Sequence, residues 1–153
     1  MVSGYELLLF LHIIAAVVWV GGGVALQAMA IRATRSGDPA RMAGFAKDAE
    51  WIGMRIFMPA SILVIAFGFA LVGKGGWGYP FWVAFALGAQ GASALVGAAF
   101  LGPESGRIGK LVDAHGVEHA EVQARIRRIV LVSRAELVIL IAVVFDMAIK
   151  PAF

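Results

Sequence analysis

Three long uncharged runs dominate the chain. Leu7 to Ile31 is 25 residues without a charge, Ile56 to Gly73 is 18, and Pro80 to Leu101 is 22. A fourth apolar stretch, Ile129 to Ile149, carries Arg134, Glu136 and Asp146. The runs are apolar all round rather than along one stripe, the pattern of a helix whose solvent is lipid. Roughly 20 such residues cross a hydrocarbon core about 30 Å thick. The pattern predicts an all-α polytopic membrane protein. It is an antiparallel four-helix transmembrane bundle forming one domain over 1–153, with spans at about 7–31, 54–73, 80–101 and 129–149. The segment before the first run has no basic residue and the run itself is long. It therefore reads as a permanent helix rather than a signal peptide.

The polar positions between the runs set an orientation. Arg32, Arg35, Arg41 and Lys47 lie between spans one and two, and Arg107, Lys110, Arg125, Arg127 and Arg128 between spans three and four. Arg55 and Arg134 sit just inside the same ends, which makes eleven basic residues on that side against two, Lys74 and Lys150, on the other. Basic residues concentrate on the cytoplasmic face, so both termini are expected outside the cytoplasm, N-out and C-out, in a bacterial plasma membrane. Trp77, Tyr79 and Trp82 then fit an outer aromatic belt.

The cytoplasmic segments read as helical extensions. Asp38-Pro39 is an N-cap followed by a first-turn proline, leading Ala40 to Glu50 into span two. Pro103-Glu104 after Gly102 reads as a second such start; Gly116 is a break, and Val117 to Arg128 leads into span four. Small residues supply candidate packing faces: Ala84, Gly88 and Ala92 on span three, and Ala16, Gly23 and Ala30 on span one.

Composition narrows the chemistry. The chain is 61% hydrophobic and 15% charged, against roughly half and a quarter in soluble domains. No cysteine is present, which excludes disulfides, thiolate metal sites and thioether-linked haem. The net charge of +3 flanks apolar runs, so it points to anionic lipid and not to nucleic acid. No nucleophile elbow, phosphate loop or H-E-x-x-H motif occurs, and no reaction is assigned.

Ionisable groups inside a span are functional candidates. His12 lies about two turns into span one, on a face shared with Tyr5, Ala16, Trp19, Gly23 and Ala30. The imidazole is either an axial ligand to haem iron, a ligand to copper, or a neutral ring hydrogen-bonded between helices. His115 and His119 are the other histidines and belong to the cytoplasmic segment, so a bis-histidine haem within one chain is excluded. What remains is a five-coordinate haem, a His/Met pair with Met58 or Met147, or a site shared across a dimer. The i, i+4 spacing of His115 and His119 permits a metal but reads first as a solvated segment. Among the intramembrane polar groups, Arg55 is expected to pair with Glu136. Asp146 pairs either with Lys150 four residues on, the preferred reading, or with His12. Arg134 is expected to snorkel to the cytoplasmic side, Pro59 to free the carbonyl of Arg55 and kink span two, and Gln90 and Ser93 to add interhelical bonds.

His12 followed seven residues on by Trp19-Val20-Gly21-Gly22 resembles the copper-resistance protein D superfamily, which includes the membrane-bound bacterial protoporphyrinogen oxidase. With Arg55-x-x-x-Pro59, Gly102-Pro103-Glu104 and the Asp146 end, the whole chain resembles a related set of small four-helix predicted membrane proteins of unknown function. That resemblance implies haem b or copper near His12; from the shared face and the second-ligand argument, the expected cofactor-binding set is His12, Trp19, Gly23 and Met147. The oxidase also has basic residues within later spans, where this chain offers only Arg55. The first expectation is thus a haem-binding membrane protein with a redox, sensing or haem-handling role. The alternatives are a non-catalytic scaffold or subunit that forms a homodimer, and a small transporter using Arg55, Glu136 and Asp146.

Overall fold

A computed structural model describes residues 2–150, save the side chain of Pro39. Among these residues there is no strand. Four long helices carry the fold: α1 (Gly4–Arg35), α2 (Ala40–Gly75), α3 (Phe81–His115) and α4 (Ala120–Ile149). They contain 32, 36, 35 and 30 residues. At 1.5 Å per residue that is roughly 45–54 Å, longer than a hydrocarbon core. The helices are joined by short connections and each packs on its neighbours in the order α1–α2–α3–α4–α1. Helices α1, α2 and α3 are long and apolar enough to cross a membrane. Helix α4 differs because any 18 consecutive residues between 129 and 149 include Arg134, Glu136 and Asp146.

Local signals start and stop the helices. At α1, Ser3 Oγ accepts the Glu6 N–H at 3.2 Å and Glu6 Oε2 accepts the Ser3 N–H at 2.8 Å. This reciprocal capping box satisfies two orphan donors. At α2, Asp38 Oδ1 accepts the Ala40 N–H at 2.9 Å. Helix α2 ends where Gly76 takes a left-handed φ of 64° and returns its N–H to Val72 O, a conformation that costs glycine little. Gly116 ends α3. Helix α4 begins at Ala120, three residues later than the sequence suggests, because Val117 turns inward and is buried.

The chain ends meet the α2–α3 turn. The Tyr5 and Trp77 rings lie edge to face at 5.9 Å. Lys150 Nζ sits 5.7 Å from the Trp77 ring centre and 5.5 Å from that of Trp82. At the opposite end, the helices extend into a second core. Ile108, Val117, Val122 and Ile126 are buried there with Met42, Ala46 and Leu111 around them. Glu104 is buried and holds Arg125 at 2.8 Å and Arg107 at 3.5 Å. The first core lies within the apolar spans: Ala15, Trp19, Ala60, Val64 and Leu140.

Helices α1, α2 and α3 each contain one π turn, at Val17–Gly21, Gly53–Phe57 and Gly97–Leu101. Two share a cause. Gly53-Met54-Arg55-Ile56-Phe57-Met58-Pro59 and Gly97-Ala98-Ala99-Phe100-Leu101-Gly102-Pro103 both run Gly-x-x-apolar-apolar-x-Pro. Proline has no N–H for the carbonyl four residues back, which is Arg55 or Ala99. The residue before each proline instead donates five residues back, Met58 to Gly53 O and Gly102 to Gly97 O. The expected release of the Arg55 carbonyl thus takes the form of a widened turn.

The small-residue faces divide. On α1, Ala30 is buried and Ala16 and Gly23 are half-buried, as expected. On α3, Ala84, Gly88 and Ala92 are exposed, while Val83, Ala86, Gln90 and Ser93 are buried. At about 100° per residue the packing face lies roughly opposite the ladder, about 180° around the helix. The tightest contact of a helix glycine with a neighbouring helix is elsewhere. A Cβ on Gly22 of α1 would lie 2.5 Å from the Phe57 ring of α2.

Candidate functional site

A polar belt crosses the bundle between the two cores, and every helix contributes to it. Gln27 of α1 donates through Nε2 to Ser133 Oγ of α4 at 2.7 Å. Gln90 of α3 donates to Ser61 Oγ of α2 at 3.4 Å. Ser93 Oγ of α3 donates to Glu136 Oε1 of α4. Ser133 and Glu136 are three residues apart and share a face of α4. The interhelical roles expected for Gln90 and Ser93 are met, through Ser61 and Glu136 respectively, and Gln27 and Ser133 form a further pair between α1 and α4. Gln27 Oε1 is buried with no hydrogen-bond partner.

The belt borders a cavity of about 420 Å³ walled by all four helices. Its lining is mostly apolar, with Trp19, Phe57 and Leu140 among the walls and Ser61, Ser93, Gln27, Ser133 and Glu136 as the polar groups of the belt. Residues of all three π turns reach it: Trp19, Gly53, Met54, Phe57, Gly97, Ala98 and Leu101. A space of this size with mostly apolar walls and a few fixed polar groups is the usual form of a small-molecule site.

The expected Arg55–Glu136 ion pair is not formed. Arg55 is exposed and has no ion-pair partner among the described residues, while Glu136 is held by Ser93. Arg55 lies within the π turn, six residues before the inward-facing Ser61, and so emerges on a different side of α2. Arg134 is exposed. Asp146 is 8% exposed, and its Oδ2 has no partner. Neither His12 nor Lys150 reaches its carboxylate. Lys150 takes a left-handed φ of 49° at the end of α4 and turns to the tryptophans.

His12 Nδ1 lies 3.0 Å from Val64 O of α2. A carbonyl can only accept, so Nδ1 carries a proton, and in the neutral ring Nε2 keeps its lone pair. The ring packs against Gly68, whose Cβ position would be 3.4 Å from His12 Cε1. Val64 is one turn beyond Ser61 on α2, so His12 lies roughly 4.5 Å from the belt along the helix. The expected cofactor set is split by this arrangement. Trp19 and Gly23 line the cavity, as does Met58, whereas His12 and Met147 do not. His115 and His119 stack with ring centres 5.0 Å apart. Among the described residues, no group of three or more His, Asp or Glu is placed to hold a metal ion.

No curated protein and no solved structure matches the chain. A family model described as a predicted integral membrane protein, DUF2269, matches residues 6–151. None of these findings connects the chain to the copper-resistance protein D superfamily. With helices α1 to α3 long and apolar enough to span a bilayer, and a match that covers nearly all of its length, the chain belongs to the DUF2269 family of integral membrane proteins.

Proposed function

We propose that this protein is a membrane-embedded binding protein for an amphiphilic small molecule, held in the cavity between the four helices. The observation that carries the reading is the cavity itself, about 420 Å³ bordered by a belt to which every helix contributes. Native mass spectrometry of the protein released from a mild detergent is expected to find one small amphiphile per chain. Ala94→Phe, which places a ring in the lining, is expected to remove that adduct without changing the fold. Bare wild-type protein from several mild detergents would count decisively against the reading.

The same reading has α4 as a fourth span and both termini outside the cytoplasm. The split of eleven basic residues against two supports it. A fluorescent reporter that matures only in the cytoplasm is expected to stay dark when fused after Phe153 and to light when inserted at Gly37. A bright fusion at Phe153 would reverse the orientation.

A second reading places haem b or copper at His12, favoured by the free Nε2 opposite an anchored Nδ1–H, as in many metal-ligating histidines. The residues fit a single protein ligand, and a haem held there would supply one-electron redox chemistry. Protein expressed with ample haem is then expected to show a Soret band that His12→Ala abolishes. A colourless preparation would end this reading.

A further inference from the structure

The charged side chains that line the cavity are of one sign. Its lining includes the carboxylates of Glu50 and Glu136 and no lysine or arginine. Basic residues near the lining in sequence are engaged or turned away: Lys47 pairs with Asp113, and Arg55, Arg127, Arg128 and Arg134 are exposed. Glu136 has one hydrogen bond, from Ser93, and no ion pair among the described residues. A half-buried carboxylate facing mostly apolar walls is stabilised by an opposite charge brought to it. Gln27, on the same lining, has its amide N–H committed to Ser133 and its Oε1 unpartnered, so it too is short of a donor. The walls include the Trp19 indole and the Phe57 ring, whose faces attract cations.

We propose that the occupant is a lipophilic cation: an ammonium head that meets Glu136, with its hydrocarbon part against Trp19, Phe57 and Leu140. This rests on the cavity being a binding site and adds the charge of its ligand. Acceptors facing inward select for a donor head and reject a carboxylate or phosphate, because a like charge beside Glu136 would repel.

The test uses the full chain in nanodiscs of zwitterionic lipid, titrated with decylammonium, decanol and decanoate, with empty nanodiscs as the reference. Wild type is expected to bind decylammonium roughly 30-fold more tightly than decanol, the factor that corresponds to the low end for a desolvated charge pair. Decanoate should not bind. Glu136→Gln keeps the shape and the acceptor for Ser93, and is expected to bring decylammonium down to the level of decanol while leaving decanol unchanged. Glu136→Asp should keep the preference for the cation. Equal binding of decylammonium and decanol by wild type would overturn the charge assignment and leave the cavity reading standing. Preference for decanoate would do the same. Binding of no probe above empty nanodiscs would overturn both. Loss of cation binding in Gln and Asp variants alike would mark Glu136 as structural and end the proposal.

Discussion

Glu104→Ala is expected to lower stability by about 2–3 kcal/mol, the largest loss from any single polar side chain in the second core. Glu104 is 3% exposed and bonds Arg125 NH1 at 2.8 Å. Removing one member of a buried pair generally costs about 3–5 kcal/mol. The value here falls below that range because Arg125 is a third exposed and retains Glu121 at 3.0 Å. Arg107→Ala breaks the other contact, but that side chain is 67% exposed, so under about 1 kcal/mol is expected. Denaturation of the purified protein in mixed micelles compares the two variants. A double-mutant cycle on Glu104 and Arg125 should show coupling well above the roughly 0.5 kcal/mol typical of independent sites. Additive effects, or an Arg107→Ala loss equal to that of Glu104→Ala, would show that the pair does not anchor the two long helices.

The second large effect concerns the α1–α2 contact. Gly22→Val is expected to cost about 1–3 kcal/mol through overpacking. The added Cβ alone would lie 2.5 Å from Phe57 Cε1 and 3.0 Å from Cζ, and Phe57 packs against the first core. Gly21, one residue earlier, has nothing within 4 Å of its Cβ position, so Gly21→Ala should be neutral or stabilise α1 by up to about 1 kcal/mol. Phe57→Leu in the Gly22→Val background should recover part of the loss. Thermal unfolding in detergent that ranks Gly21→Ala and Gly22→Val together would remove the close approach as the explanation.

What the sequence disclosed depended on how local the cause was. The apolar runs, the Asp38 cap and the Gly116 break depend on residues within a turn or two, and they emerge where expected. Long-range pairings did not. Glu104 reads as the first turn of a helix after Pro103, and nothing nearby in sequence indicates that its partner is Arg125, on α4. Arg55 and Glu136 match in depth, but depth alone does not fix the face a side chain takes, and a π turn shifts that face. Asp146 and Lys150 have helical spacing, yet α4 ends at Ile149 and its left-handed cap carries Lys150 away. Of the candidate site, Gln90, Ser93 and Glu136 were legible as polar interruptions, and Trp19 and Gly23 as members of one face of the first span. The cavity was not, since it arises from where three π turns and two cores fall relative to one another. The repeated Gly-x-x-apolar-apolar-x-Pro segment was a visible signal for two of those turns.

Those turns also change the angular bookkeeping of the bundle. One extra residue in a turn rotates everything beyond it by about 100° relative to an uninterrupted helix. In α2 and α3 the shift falls close to the level where the lipid-facing segment gives way to the extension. Each helix can therefore aim one stripe at the first core and a differently phased stripe at the second. Helix α4 has no such insertion and runs straight past both. It serves as the common axis against which the other three are re-indexed, so a one-residue deletion within Gly97–Leu101 would misalign α3 with α4 on one side of the cut, whichever core it kept.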